Sequence, residues 1–242
     1  MTELRIIQQI AGASNGVFLA ELDGVKVVLK PNHLETELWD FPTGTLALRE
    51  RATYIMDQLL GWNLVPKTEL VETEQGFASV QLWVDASPTL VEIFPSAEVP
   101  ANWLNVLEGQ GSNGEALTLA HPNTETLMKI ALLDAAVNNA DRKGGHILTS
   151  EDGQTYAIDH GVTFHDEPKL RTVIWGWVGH NIPQELITDI VRARTKIHES
   201  ELVDLITEEE LSATVARLDE LIADGKFPKP NDEWPSFPWP LF

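Results

Sequence analysis

The chain has 242 residues, enough to bury a sizeable core as one large domain or as two lobes. It contains no cysteine, which excludes disulfides, thiolate metal sites and cysteine nucleophiles. Its 17 basic and 37 acidic side chains leave a formal charge of -20, a field that repels nucleic acid phosphates and anionic lipid, so neither partner is expected.

The N-terminus lacks a basic start followed by an apolar run, so no signal peptide is expected, and no stretch has the roughly 20 apolar residues that span a bilayer. A cytoplasmic location is the expectation. Residues 17–22 and 25–30 read as two strands around the hairpin signal Asp23-Gly24, and Pro31 ends the second. Residues 31–44 form a loop holding Trp39 and Phe41. Residues 45–60 carry Leu46, Ala47, Ala52, Ile55, Met56 and Leu59 at helical spacing, with Gly61 as the stop. Residues 65–71 and 77–84 read as two further strands.

Beyond a boundary near residues 85–95 the pattern turns mainly helical. Residues 100–109 read as a short helix and 108–114 as a flexible loop. Residues 124–139 form a strong helix, with Leu127, Ile130, Leu133, Asp134 and Val137 near one face. Short strands at 147–149 and 155–158 flank the turn Glu151-Asp152-Gly153, and helices occupy 184–194 and 208–224. The proline-rich tail, with Trp234, Phe237 and Trp239, suits neither helix nor central strand and is expected to pack along the body.

Chemistry concentrates in residues 138–164. Asp141 follows the strong helix, His146 stands five residues later, and Asp159 emerges from an apolar strand two residues before Gly161. Phosphoryl transfer needs one carboxylate near an attacking hydroxyl and another on the metal that holds the nucleotide phosphates. In that reading Asp141 takes or positions the hydroxyl proton. Arg142 and Lys143 are candidates for an anionic group, and His146 with Asp159 for the metal. Imidazole suits Mn²⁺ better than Mg²⁺. A turn built by Asn138, Asn139 and Asp141 is the plainer account of part of this run. Earlier in the chain, the turn before the first hairpin strand, with Ser14, Asn15 and Gly16, offers backbone N–H groups to phosphates, and Lys30 on the next strand offers a cation. Lys30 reads equally as a surface lysine, and Glu50 as part of a solvated helix face, with Glu35 and Glu37 as rival partners for the lysine. His160, His165 and Asp166 permit a competing reading, a His/Asp metal site of a hydrolase. There is no HExxH, GxSxG or Walker-type GxxxxGK[ST] pattern.

Asp141-Arg142, His146 and Asp159-His160-Gly161 resemble the catalytic core of the phosphatidylinositol 3-/4-kinase-like branch of the protein kinase superfamily. There the corresponding elements are Asp-Arg-His, an asparagine and Asp-Phe-Gly at the same spacing. Histidine thus stands in place of the asparagine and of the phenylalanine. Leu38-Trp39-Asp40-Phe41-Pro42, Gly44-Thr45-Leu46, Gly61-Trp62 and Val65-Pro66 are similar to a small actinobacterial group of uncharacterised proteins labelled kinase-like. The resemblance implies an α+β, bilobal protein kinase-like fold, akin to HipA-type and secretory-pathway kinases. Its β-rich N-lobe would span residues 1–85 and its mainly helical C-lobe residues 86–242. It further implies ATP and Mg²⁺ or Mn²⁺, with Lys30 on the phosphates and Glu50 as its partner. Gln81 to Val84 would be a hinge in which Gln81, Trp83 and Val84 meet adenine, Asp141 the catalytic aspartate, and His146 and Asp159 the metal ligands. The implied activity is transfer to a small-molecule or protein hydroxyl. A nucleotide-binding pseudokinase and an AMP-transferring enzyme are its alternatives.

Overall fold

Residues 4–10, 16–231 and 233–242 are described by a computed structural model. The early β-branched and apolar runs form β1 (Leu4–Gln9), β2 (Phe18–Leu22) and β3 (Val25–Pro31). Asp23 and Gly24, both at positive φ, turn the chain between β2 and β3. After a 3-10 turn and a loop comes α1 (Leu46–Leu60), then β4 (Thr68–Thr73) and β5 (Gly76–Leu82). These strands form one five-stranded antiparallel sheet in the order β1-β2-β3-β5-β4. Val27 and Leu29 pack with Ala20, Ala78 and Val80 on one face. The alternation of β3 therefore turns Lys30 to the opposite face, towards α1.

Helix α1 starts where the Ala47 N–H donates to the Glu35 carboxylate at 3.1 Å, so Glu35 serves as a cap and not as the lysine's partner. The helix ends at Gly61, whose φ of 72° is the left-handed conformation a closing residue needs. Strand β4 begins three residues later than the apolar run suggests. The N–H groups of Leu64 and Val65 are taken by Asp57 Oδ2 at 2.9 and 3.0 Å, and Pro66 has none to give.

The chain leaves the first sheet through residues 83–85 and enters a part less purely helical than its composition suggests. Strands β6 (Ala86–Ser87), β7 (Glu92–Pro95), β8 (Trp103–Gln110) and β9 (Ala116–Pro122) precede α2 (Glu125–Val137). The segment 100–109 is therefore a strand and not a helix. It pairs with β9 across a bulge, which lets Leu104 and Val106 pack on the core while the acidic and amide side chains face solvent. The expected flexible loop is partly the end of β8 and partly its hairpin turn, closed by Gly111 N–H to Glu115 O at 2.9 Å.

Strands β10 (Ile147–Ser150) and β11 (Thr155–Ala157) pair with each other, and β6 joins them. Helices α3 (Gln184–Lys196), α4 (Leu202–Leu205) and α5 (Glu208–Asp224) complete the fold. Sequence alone places α3 and α5 closely, because both are strongly amphipathic and α5 opens on a capping box between Thr207 and Glu210. One core unites Met56 and Leu60 of α1 with Leu127, Ile130 and Leu133 of α2, Ile190 of α3 and Leu218 of α5. Among the described residues no helix is long and apolar enough to cross a membrane.

Candidate active site between the sheet and the helices

Three distant side chains converge beside α1. The Nζ of Lys30 donates to Glu50 Oε1 and, at 2.9 Å, to Asp159 Oδ1. Glu50, on the inner face of α1, is only 2 % exposed, whereas Asp159 keeps half of its side-chain surface in solvent. Arg49-Glu50 is thus no solvated face. Arg49 itself is buried, donating to the Thr163 carbonyl and to Glu210 at 2.5 Å each, which ties α1 to α5 and to the segment after Asp159.

The geometry sets the electrostatics. Burial pulls the Lys30 ammonium down, but the Asp159 and Glu50 carboxylates outweigh it and leave its pKa above the ordinary lysine value. The Lys30 charge holds Asp159 well below the usual carboxylate range. Burial raises Glu50, and Lys30 only partly offsets that. Asp159 also has a φ of 61°, a left-handed backbone that aspartate tolerates better than most residues, and its carboxylate meets Lys30 and His146.

The second half of the site is the segment after α2. Thr124 caps the helix N-terminus, and Asn138 at φ 54° ends it. The polar run continues through residues 139–144, and Asp141 and Lys143 form an ion pair at 3.1 Å, both partly exposed. The His146 ring is fixed by its Nδ1, which lies 3.1 Å from the Asp141 carbonyl oxygen. A carbonyl only accepts, so Nδ1 carries the proton and Nε2 presents its lone pair. That Nε2 lies 3.3 Å from Asp159 Oδ2. Burial lowers the His146 pKa, with Asp159 opposing, so the ring is neutral at pH 7. A neutral nitrogen lone pair facing a carboxylate oxygen is a cradle for a cation. A divalent cation, if bound here, would be held by His146 Nε2 and Asp159 Oδ2. Among the described residues no group of three or more His, Cys, Asp or Glu converges on a metal-sized point, so the hydrolase reading built on His160, His165 and Asp166 finds no such ligand group there.

Arg142 needs correction. Its side chain is 0 % exposed and its donors are spent inside the protein. Nε and Nη2 bind the two oxygens of Asp134, each at 2.8 Å, and Nη1 reaches the Ile158 carbonyl at 2.9 Å. Nη2 also meets His160 Nε2 at 2.7 Å. Arg142 therefore braces the loop from within the protein, its donors given to Asp134 and the Ile158 carbonyl rather than to the surface. Lys143 is the cation on the open side. His160, in the place of the phenylalanine, is buried in this network, and burial with the neighbouring Arg142 holds it well below the ordinary histidine range.

Gln81 is a second correction. It lies within β5 between Val28 and Thr68, its side chain buried and donating to Thr68 Oγ1 at 2.8 Å. It belongs to the sheet. Trp83 and Val84 lie on the connection from β5 to β6. The Trp83 N–H is already given to the Lys26 carbonyl at 3.0 Å. Gly16 packs so tightly on Leu34 that a Cβ there would come within 2.5 Å of it. Ser14 and Asn15 lie outside the described residues. Sequence alone does not decide the place of Lys143 and misses the role of Asp134. An acidic residue on the apolar face of a helix is the signal that points to it.

No protein-family model matches the chain. It is 38% identical over 258 aligned positions to Protein Rv2133c of Mycobacterium tuberculosis, an alignment covering 99% of this chain and 92% of that protein. Among solved structures, the Helicobacter pylori proinflammatory kinase CtkA superposes with a TM-score of 0.53 at 11% identity, covering 93% of each chain. The Golgi casein kinase with Mn/ADP bound gives 0.56 at 12% identity, covering 93% of this chain and 73% of that one. At such identities the likeness is one of fold, and the fold is kinase-like.

Proposed function

The chain belongs to the family of Protein Rv2133c, and we propose that it is an ATP- and divalent-metal-dependent phosphotransferase acting on a small-molecule or protein hydroxyl. The observation that carries this reading is the joint contact of Lys30, on the sheet, with Glu50 of α1 and with Asp159. A buried carboxylate that orients a lysine, beside a carboxylate with its own metal-facing oxygen, is what phosphoryl transfer asks of a protein: position and neutralise charge. The likeness of residues 138–164 to the phosphatidylinositol 3-/4-kinase core supports the same assignment of roles. A cysteine-free acidic chain suits the cytoplasm.

In this reading Lys30 holds the α- and β-phosphates. His146 Nε2 and Asp159 Oδ2 hold a divalent metal, which when bound spreads the negative charge of the phosphate oxygens. Asp141 orients the acceptor hydroxyl and receives its proton as the oxygen bonds to the γ-phosphorus and the bridging oxygen leaves with ADP. Lys143, paired with Asp141, is placed to meet the transferred phosphoryl group. Trp83 and Val84 line the adenine end.

A nucleotide-binding pseudokinase is the second reading, favoured by the imidazole at position 146 where an oxygen donor is usual for Mg²⁺. Titration of ATP and ADP with Mg²⁺ or Mn²⁺, read by thermal shift, followed by product analysis of ATP consumption, separates the two. Stabilisation with turnover to ADP supports the enzyme, and stabilisation without turnover the pseudokinase. Release of pyrophosphate with AMP attached to an acceptor identifies AMP transfer. No stabilisation with any metal sinks all three.

A further inference from the structure

The proline-rich tail is built into the site. It leaves the helical part where Lys226 bridges Asn181 and the Phe227 ring stacks on Trp177 at 5.7 Å. The Trp234 ring then covers two cations of the segment after Asp159. Lys169 Nζ lies 4.0 Å from its centroid and Arg171 Cζ 5.4 Å. Lys169 is 1 % exposed, and its ammonium is met by Asp40 at 3.1 Å, by Glu167 at 3.6 Å and by the indole faces of Trp234 and Trp39. Trp39 and Asp40 belong to the loop between β3 and α1. Lys169 is thus the point where that loop, the segment after Asp159 and the tail meet.

Farther on, the Ser236 carbonyl accepts from the Thr172 N–H at 3.1 Å and from Trp175 Nε1 at 2.8 Å. The segment around Thr172 is itself bonded to the loop that carries Asp141. Arg171 N–H donates to Asn139 O, Arg142 N–H to Arg171 O and Val173 N–H to Arg142 O, at 2.9, 3.0 and 3.2 Å. Arg171 Nε adds a bond to the Ala140 carbonyl at 2.6 Å. The tail finally returns to the same loop: Leu241 O accepts from Gly144 N–H at 2.9 Å. Phe242 fills the space of a side chain at Gly144, where a Cβ would come within 2.6 Å of its ring.

We propose that residues 234–242 are a positioning clamp for Asp141. They hold the loop 139–144 directly at Gly144 and indirectly through Thr172, and Trp234 couples that grip to the N-terminal part through Lys169. The inference rests on the phosphotransferase reading. The tail touches neither Lys30, Glu50 nor Asp159 among the described contacts, so its loss disturbs the acceptor side and spares the nucleotide side.

The test compares the wild type with Trp234→Ala, Trp234→Phe and a chain lacking residues 233–242. Mn²⁺·ADP affinity, hydrogen exchange at residues 139–146 and ATP turnover are measured on each. Trp234→Ala is expected to keep nucleotide affinity within about twofold while exchange in 139–146 quickens and kcat falls about tenfold or more at unchanged KM for ATP, the cost of a loosely held base. Trp234→Phe, which keeps a ring over Lys169, is expected to recover most of the kcat. If the shortened chain fails to fold, the two point variants decide. Unchanged exchange in Trp234→Ala overturns the clamp, and so does a kcat that stays level or rises. A loss of nucleotide affinity parallel to kcat overturns it as well, since that marks a general loss of structure. If the wild type binds no nucleotide, the phosphotransferase reading fails, and exchange alone still reports whether Trp234 holds the loop.

Discussion

Lys30 and Asp159 lie 129 positions apart, yet the ammonium of the first meets a carboxylate oxygen of the second at 2.9 Å while also holding Glu50. Lys30→Met removes the ammonium that both Glu50 and Asp159 hold, and Glu50 is buried. The expected result is lower stability and a fall in turnover on the order of 10²-fold or more, with weaker ATP binding. Calorimetry with ATP and a denaturant midpoint measure both. The sign of the pH dependence is fixed by the direction of the shifts. Asp159 is depressed, so its contribution is present above the ordinary value of 3.8 and is lost as pH falls further. Lys30 is raised, so its contribution holds below 10.5 and is lost only at higher pH. Between pH 5 and 9 the pair stays ionised, and an activity slope in that interval has another source.

Asp141 is the proposed proton acceptor, and its carboxylate pairs with Lys143 at 3.1 Å. Asp141→Asn keeps the size and a hydrogen-bonding oxygen but not the basicity. Phosphoryl transfer should drop about 10²–10⁴-fold while ATP affinity changes little. Single-turnover rates and an equilibrium titration on the same preparation check the split. Retention of full activity would remove Asp141 from its role.

Much of the architecture is legible in the sequence because it rests on local signals. The Asp23-Gly24 hairpin, the Gly61 stop and the amphipathic faces of α3 and α5 are written in short windows. Strands β7, β8 and β9 are not, because their half-exposed faces acquire an apolar partner only when paired. Spacing within one segment anticipates a juxtaposition, as for His146, which lies beside both Asp159 and the Asp141 carbonyl. Arg142 misleads because the burial of a charged residue next to Asp141 cannot be read from the chain. Its meaning lies with Asp134, which sits on the apolar face of α2. Glu50 can be chosen over Glu35 only in three dimensions, where Glu35 caps α1.

That buried pair makes its own prediction. Arg142 and Asp134 are each 0 % exposed and share two hydrogen bonds. Breaking such a pair from one side leaves an uncompensated charge and should cost about 3–5 kcal/mol. Arg142→Ala is therefore expected to fold poorly and to lower the urea midpoint far more than Lys143→Ala does. The reverse order would mean that Arg142, not Lys143, faces the substrate.

In the proposed reading His146 sets the choice of metal. Its lone-pair nitrogen beside Asp159 Oδ2 favours a cation that accepts imidazole, so Mn²⁺ should support ADP binding better than Mg²⁺. Electron paramagnetic resonance of the Mn²⁺·ADP complex should show coupling to a ring nitrogen. His146→Asn should abolish that coupling and shift the preference towards Mg²⁺. Asp159→Ala should remove metal-dependent binding altogether. An unaltered nitrogen signal in His146→Asn places the metal elsewhere.

Asp57 offers a check on the frame that carries Glu50. It sits near the end of α1, buried, with one oxygen taken by the Leu64 and Val65 N–H groups and the other unpartnered. Burial pushes its carboxyl from 3.8 up to about 6, against those two hydrogen bonds. A raised carboxyl means that the folded state holds the proton more tightly than the unfolded chain. Its contribution to stability is therefore complete below pH 4 and is lost as pH rises through 6. Asp57→Asn keeps an oxygen for both N–H groups and cannot ionise. All other carboxylates are common to both proteins, so the stability difference between them isolates this one group. On going from pH 7 to pH 5 the wild type should gain about 1 kcal/mol relative to the variant, measured by urea unfolding at each pH. A difference that does not change with pH would mean that water reaches Asp57 and that the end of α1 is looser than these contacts require.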